Sequence, residues 1–341
     1  MQNYILLIAW LLAASNPATF AESIDIEWTK STPMPEPRSG YAAGVLNGKL
    51  IVAGGTFWLG QPGNWTKKEF TASTHAFDPV NETWQQLPDA LYPFGYAASE
   101  VVGDRLYVLG GYNGKHEMRK VIALEKRGDV YTWTNVGQLP VNLLFSKAVT
   151  VDSKIYLLGG TTRFEPHNAA GGCCTSRSAT RDLMVWDPSQ PSTSWGKLPP
   201  YPGHKRFLYA AAADDQAIWL FGGRYQDKTG EPVNYFQDVL RYRVADQSWE
   251  KVAVLPDANP RARPFTAISV GNDIMLMCFA KHVWQFDPCT FNYRPATELP
   301  EEVAIDRYYW LDQRIVGTGG ENRVQSPRNR SETTWIGRIS R

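Results

Sequence analysis

Five times along this chain an apolar run stops at a pair of glycines: Leu50 to Gly55, Leu106 to Gly111, Ile155 to Gly160, Ile218 to Gly223 and Ile315 to Gly320. The leading glycines, Gly54, Gly110, Gly159, Gly222 and Gly319, lie 56, 49, 63 and 97 residues apart. The last gap is about twice the others, so one unit has lost its glycines, and Ile274-Met275-Leu276-Met277-Cys278-Phe279 stands where it belongs. A chain with such a period is an array of similar units, each too small to bury its own apolar faces, so neighbours must stack.

A second mark recurs out of phase with the first. An aromatic residue precedes an apolar-Pro pair six times: Trp28 before Met34-Pro35, Trp84 before Leu87-Pro88, Trp133 before Leu139-Pro140, Trp195 before Leu198-Pro199, Trp249 before Leu255-Pro256 and Tyr293 before Leu299-Pro300. Between the two marks runs a further strand, clearest in Thr74 to Pro79, Met184 to Pro188 and Trp284 to Pro288, where Asp-Pro supplies the turn. Each unit therefore reads as four strands, and the Trp and Tyr side chains supply the apolar area that adjacent units cover. With 28 Gly and 23 Pro, many short strands and turns are expected, and an all-β class follows.

Gly-Gly, then an aromatic-Asp strand, then Trp resembles the Kelch repeat, over essentially the whole chain after its first residues. The resemblance implies an all-β, six-bladed β-propeller. The last unit has its Gly-Gly and a third strand over Thr333 to Ile339 but no aromatic fourth strand, while the strand Ile24 to Thr29 has no unit before it. Pairing these two is expected to complete blade six and remove an exposed sheet edge.

The first 21 residues read differently. Tyr4 to Ala14 is an apolar run too short to span a bilayer comfortably, and Thr19-Phe20-Ala21 offers small residues for cleavage before Glu22. A cleaved export signal over 1–21 and a six-bladed domain over 22–341 are expected, with a periplasmic or secreted protein and no membrane span after cleavage. An uncleaved anchor is the alternative, because the segment carries no Lys or Arg. In that oxidising setting Cys278 and Cys289 are the expected disulfide, near the ends of neighbouring strands in one blade. Adjacent Cys173 and Cys174 lack zinc-ligand spacing.

A net charge of +1 argues against nucleic acid, since binding a polyanion through the overall field needs a strong basic bias. No cofactor is expected. In Kelch proteins the ligand mouth is built from the turn leading into each inner strand and from the loop after Gly-Gly. The first set holds Arg38, Lys147, Arg206, Arg263 and Arg307, with Tyr41, Phe94, Tyr96, Phe207, Phe265, Tyr308 and Tyr309 beside them. Arginine forks next to aromatic rings suit a carboxylate ligand, so Arg38, Lys147, Arg206, Arg263, Arg307, Tyr41 and Tyr96 are expected to bind a small acidic sugar or glycan. Arginine ties between blades are the structural alternative. The second set is long over Thr56 to Thr71, Thr161 to Arg181 and Arg224 to Gln237, where Trp58, Trp65, Phe164 and Tyr225 would form a lid or sugar platform, or cover the rim.

The loop Gly319-Gly320-Glu321 through Arg328-Asn329-Arg330 resembles the Gly-Glu…Arg loop of the sialic acid mutarotases, also called N-acetylneuraminate epimerases, secreted six-bladed Kelch enzymes. That resemblance implies interconversion of sugar anomers, with Glu321 as acid-base group and Arg328 or Arg330 holding the substrate carboxylate. Here the loop sits in the last blade rather than a middle one, a shift that mutarotase-like proteins described as cyclically permuted make understandable. The rival expectation is a non-catalytic module that presents its mouth loops to a protein or glycan.

Overall fold

The computed structural model describes residues 23–61, 64–165, 175–192, 194–257, 259, 263–304, 307–322 and 329–340. The expected export signal, Cys173, Cys174 and Arg328 lie outside these residues. Among the described residues no helix is long and apolar enough to cross a membrane.

Six four-stranded antiparallel sheets carry the fold. In blade one the strands run from the inside outward as Ala42–Leu46, Lys49–Ala53, Thr74–Asp78 and Thr83–Leu87. Blade two repeats this with Ala98–Val102, Arg105–Leu109, Lys120–Arg127 and Val130–Gln138. The inner strands of blades three to six are Lys147–Val151, Ala210–Ala213, Pro264–Val270 and Arg307–Leu311. The outermost strand of blade six is Ile26–Ser31, which pairs antiparallel with Thr334–Ile339 from Ile26 opposite Ile339 to Ser31 opposite Thr334. The ring therefore closes as the sequence implies.

The second strand of each blade is almost completely buried, as in Ala217–Phe221, where every residue is covered. Apolar side chains on both of its faces meet neighbouring blades, so the core is a set of inter-blade clusters. In two places the recurring Trp and apolar-Pro marks turn out to be two halves of one contact. Trp133 Nε1 donates to Pro88 O of the preceding blade at 3.2 Å, and Trp249 Nε1 to Pro199 O at 2.8 Å. Trp84 does the same at the closure, donating to Thr32 O at 3.0 Å, just past the strand that completes blade six. Each of these indole N–H groups is satisfied by a backbone carbonyl of the neighbouring blade, which fixes how one blade leans on the next.

Blade five lacks Gly-Gly because the left-handed turn has moved. Cys278 is extended, and the positive φ falls on Ala280 (63°) and Lys281 (69°) in the short 3-10 turn Phe279–Lys281. Cys278 and Cys289 are both free thiols, the first buried and the second exposed. The expected disulfide fails on topology: Cys278 ends the strand Asp273–Cys278, whereas Cys289 follows Val283–Phe286, whose Phe286 pairs with Ile274 at the other end. Antiparallel neighbours place those two positions at opposite ends of the blade, about 15 Å apart at the strand rise per residue.

Candidate functional site

The six inner strands surround an axial channel with a volume of about 360 Å³, lined by residues such as Gly44, Glu100, Lys147, Ala212, Ser269 and Tyr309. Each inner strand turns an unpaired edge toward the axis, and short polar side chains cap it. Ser99 Oγ accepts from Ala43 N at 3.0 Å and donates to Ala43 O at 2.9 Å, while Ser269 Oγ donates to Ala213 O at 2.7 Å. Burial pushes the Glu100 carboxyl up to about 7, against a hydrogen bond from the Val101 backbone.

The mouth forms where Gly-Gly meets the next blade. Gly55 N donates to Phe94 O at 2.7 Å, and Gly54, at φ 64°, leaves so little room that a Cβ would stand 2.7 Å from the Phe94 ring. Glycine is therefore required there by both conformation and space.

Arg38 and Arg206 belong to this scaffold, which corrects their placement as ligand-facing cations. Arg38 is 1% exposed and has a partner for every N–H. Nε donates to Glu36 O at 3.3 Å, Nη1 to Gly54 O at 3.1 Å and Ser73 O at 2.9 Å, and Nη2 to Glu36 Oε2 at 2.6 Å and His75 Nδ1 at 3.1 Å. Arginine only donates, so His75 Nδ1 accepts. Burial and then the Arg38 charge hold that ring below its ordinary pKa. Arg206, also 1% exposed, repeats the device: Nη1 reaches Gly222 O at 3.0 Å, and the fork grips Asp238 at 2.5 and 3.0 Å. Arg263 is 7% exposed, with its guanidinium 4.9 Å from the Tyr235 ring and 4.7 Å from Phe279. Carbonyls left bare by the Gly-Gly turn give Arg38 and Arg206 their work, a role that the chain's composition does not reveal.

Two further expectations shift. Tyr41 is fully buried and donates from its hydroxyl to Thr318 O of blade six, so it is a strut between blades; Tyr209 does the same for Leu158 O at 2.6 Å. Lys147 is the first residue of an inner strand, paired with Leu158, and not part of a lead-in turn. Its Nζ donates across the axis to Phe265 O at 3.4 Å, which sets it at the top of the channel. Arg307 begins the inner strand of blade six, and its side chain is outside the described residues.

Tyr96 does reach the mouth. It shares one lead-in position with Gly40, Phe145 and Leu208, all left-handed, with φ of 60°, 65°, 56° and 51° respectively. Its ring lies tilted 4.5 Å from Phe145 and stacks 5.7 Å from Phe164, which in turn lies 4.6 Å from Tyr112 at an interplanar angle of 14°. Phe70 meets Tyr96 and Tyr112 edge-on. These rings form one cluster with Leu144, Phe207 and Leu208, in which Phe70, Tyr112 and Phe164 are only partly covered. Sequence reasoning missed Phe70, Tyr112 and Phe145. Aligning the units on the inner-strand pairing would have exposed Phe145 as the counterpart of Tyr96.

Glu321 and Arg330 are brought together. They face each other across the two-residue strands Glu321–Asn322 and Asn329–Arg330, with Nη1 3.2 Å from Oε1. Arg330 is 4% exposed on its side chain and also donates to Thr56 O at 3.2 Å and Thr56 Oγ1 at 3.0 Å. It thereby ties the blade six loop to the hairpin Thr56–Gln61 and Asn64–Phe70 of blade one. That hairpin occupies the segment expected as a long loop, and its Trp58 ring lies 5.8 Å from the Arg330 guanidinium.

Known proteins bear on this geometry. A sequence profile described as "KLHDC2/KLHL20/DRC7 Kelch-repeats domain" matches residues 90–279, more than half of the chain, and a second, "Kelch motif", matches 37–90. "Kelch-like protein terF" of Aspergillus terreus (strain NIH 2624 / FGSC A1156) is 30% identical over 222 residues, covering 62% of this chain and 43% of that protein. "Kelch-like protein 34" of Homo sapiens is 28% identical over 235 residues, covering 67% and 33%. The chain thus spans less than half the length of these relatives. A solved structure described as "Structure of YjhT" superposes with a TM-score of 0.66 at 12% identity, over 91% of this chain and 99% of that one, and so shares the fold. Repeat marks, blade count and profile agree that this chain belongs to the Kelch-repeat family.

Proposed function

We propose that this Kelch propeller is an exported binding module that takes a segment of a protein or glycan onto the aromatic floor of its mouth. The observation that carries the reading is the convergence of Phe70, Tyr96, Tyr112, Phe145 and Phe164 from three blades, with three of the five rings still partly open. Aromatic rings on turns held by backbone hydrogen bonds offer large contact area with little rotamer freedom to lose, the chemistry of binding hot spots. Screening the protein against glycan and peptide arrays, beside a Tyr112→Ala/Phe164→Ala variant, tests it. Ligands of the wild type should lose about tenfold or more in affinity in the variant; ligands held equally by both would remove the mouth from consideration.

The Glu321–Arg330 juxtaposition favours a second reading, mutarotation of sialic acid or a similar acidic sugar. Ring opening needs a base at the anomeric hydroxyl, an acid at the ring oxygen and a cation for the carboxylate. Arg330 already holds Thr56 and Glu321, so a substrate would have to displace one of them, which ranks this reading second. Exchange NMR between the anomers of N-acetylneuraminate decides it. Acceleration over buffer that disappears in Glu321→Gln supports catalysis, and an unaccelerated exchange excludes it.

A further inference from the structure

Three aromatic rings from three blades close around a single ammonium group. Lys68 Nζ stands 4.9 Å from the centre of the Trp58 ring, 5.8 Å from Tyr96 and 5.9 Å from Phe164. Lys68 lies directly opposite Trp58 in the blade one hairpin, Tyr96 comes from the lead-in turn of blade two, and Phe164 from the post-glycine loop of blade three. No local sequence rule brings these residues together; only the ring of blades does.

Two of the three walls are held independently of what they enclose. Tyr96 is 4% exposed, wedged against Phe145, with its backbone N–H donating to Gly40 O at 2.6 Å. Phe164 is stacked on Tyr112, and its N–H donates to Glu117 Oε1 at 3.0 Å. Trp58 has the Arg330 guanidinium near it as well. The occupant is an ammonium on a flexible four-carbon stem. Ring faces present the negative part of their quadrupole to a cation, and several faces around one point make a cage selective for organic ammonium groups.

We propose that Trp58, Tyr96 and Phe164 form a binding site for an alkylammonium or quaternary ammonium ligand, and that Lys68 is its built-in occupant, displaced when such a ligand enters. This goes beyond the binding-module reading by naming a ligand chemistry, and it makes affinity depend on how often Lys68 leaves the cage. A site that is competent for only a fraction of the time binds more weakly by that fraction.

The test titrates choline, and its neutral isostere 3,3-dimethylbutan-1-ol, into the wild type, Lys68→Gln and Lys68→Gln/Trp58→Leu, following the probe's methyl proton shift and tryptophan fluorescence. Lys68→Gln is expected to bind choline about tenfold more tightly than the wild type. The neutral isostere and the double variant should bind much less. Absence of saturable choline binding in folded Lys68→Gln overturns the proposal, as does equal binding of the isostere or an undiminished affinity in the double variant. If Lys68→Gln fails to fold, Trp58→Leu is compared with the wild type at higher choline concentration, where equal affinity has the same meaning. No glycan or peptide enters the titration, so its failure leaves the array result to be judged by itself.

Discussion

Trp28 stands directly opposite Gly337 in the strand pair that closes the ring, and the bare glycine makes room for the indole. A Cβ at 337 would come within 2.7 Å of Trp28 Cζ3 and 2.8 Å of Ile26 Cγ2. The same indole meets Tyr308 of the inner strand edge-on at 5.9 Å. One residue without a side chain thus lets the first strand reach the core of the last blade.

Gly337→Ala should consequently strain the closure alone. The added methyl overpacks a fixed ring, at a cost of about 1–3 kcal/mol. A thermal melt should show a lower midpoint than the wild type, and Gly337→Ala/Trp28→Leu should recover part of it. An unchanged midpoint in the single variant would mean that the indole moves aside freely.

Arg206→Met and Lys147→Met separate scaffold from channel. Removing Arg206 leaves the Asp238 carboxylate without its fork and Gly222 O without its donor. Breaking a buried pair in this way costs about 3–5 kcal/mol, toward the lower figure here because Asp238 is 21% exposed. Lys147→Met loses one long hydrogen bond at the channel top and should cost about 1 kcal/mol or less. Urea denaturation of the two variants would contradict this assignment if their midpoints fell together.

Glu100 gives stability a pH dependence of unusual sign. Its carboxyl is raised from an ordinary 4.5 to about 7 by enclosure in the channel, so between those values the folded chain keeps a proton that the unfolded chain has released. Stability from this group falls as pH rises through that window, and the loss is complete above it. Glu100→Gln should therefore melt increasingly above the wild type as pH climbs from 4.5 to 7. Parallel melting curves for the two proteins would refute the assignment.

Thiol labelling distinguishes Cys278 from Cys289. Burial raises the Cys278 thiol far above its ordinary range, with the nearby Asp257 charge adding to the effect, while Cys289 is exposed. Iodoacetamide applied to the native protein, followed by peptide mass spectrometry, should modify Cys289 and spare Cys278 until denaturant is added. Early modification of Cys278 would count against the buried placement.

The sequence carried the blades because their marks are contacts in themselves. Trp133 and Leu87-Pro88 are the two halves of one inter-blade hydrogen bond, and Trp249 and Leu198-Pro199 of another, so the period of these marks is the period of the ring. The mouth was less legible, since Arg38 and Arg206 sit where a ligand-binding arginine would sit, and only the carbonyls of Gly54 and Gly222 decide which way they point. Lys147 was misplaced because it was counted from the apolar-Pro mark, whereas the pairing with Leu158 fixes its depth. Cys278 and Cys289 looked adjacent until strand direction was known. Trp58, Tyr96 and Phe164 share no spacing rule, and their meeting is a property of the closed circle.

Closure by the strand Ile26–Ser31 also sets a timetable for a ribosome. Thr29 and its partner Ile336 are 307 residues apart, so the strand stays without its mate until the residues between them have been made. Contacts so remote form slowly, and a strand with an unmated edge is exposed to wrong partners while it waits. A cell producing this protein has to shelter that segment until Thr334–Ile339 has been made.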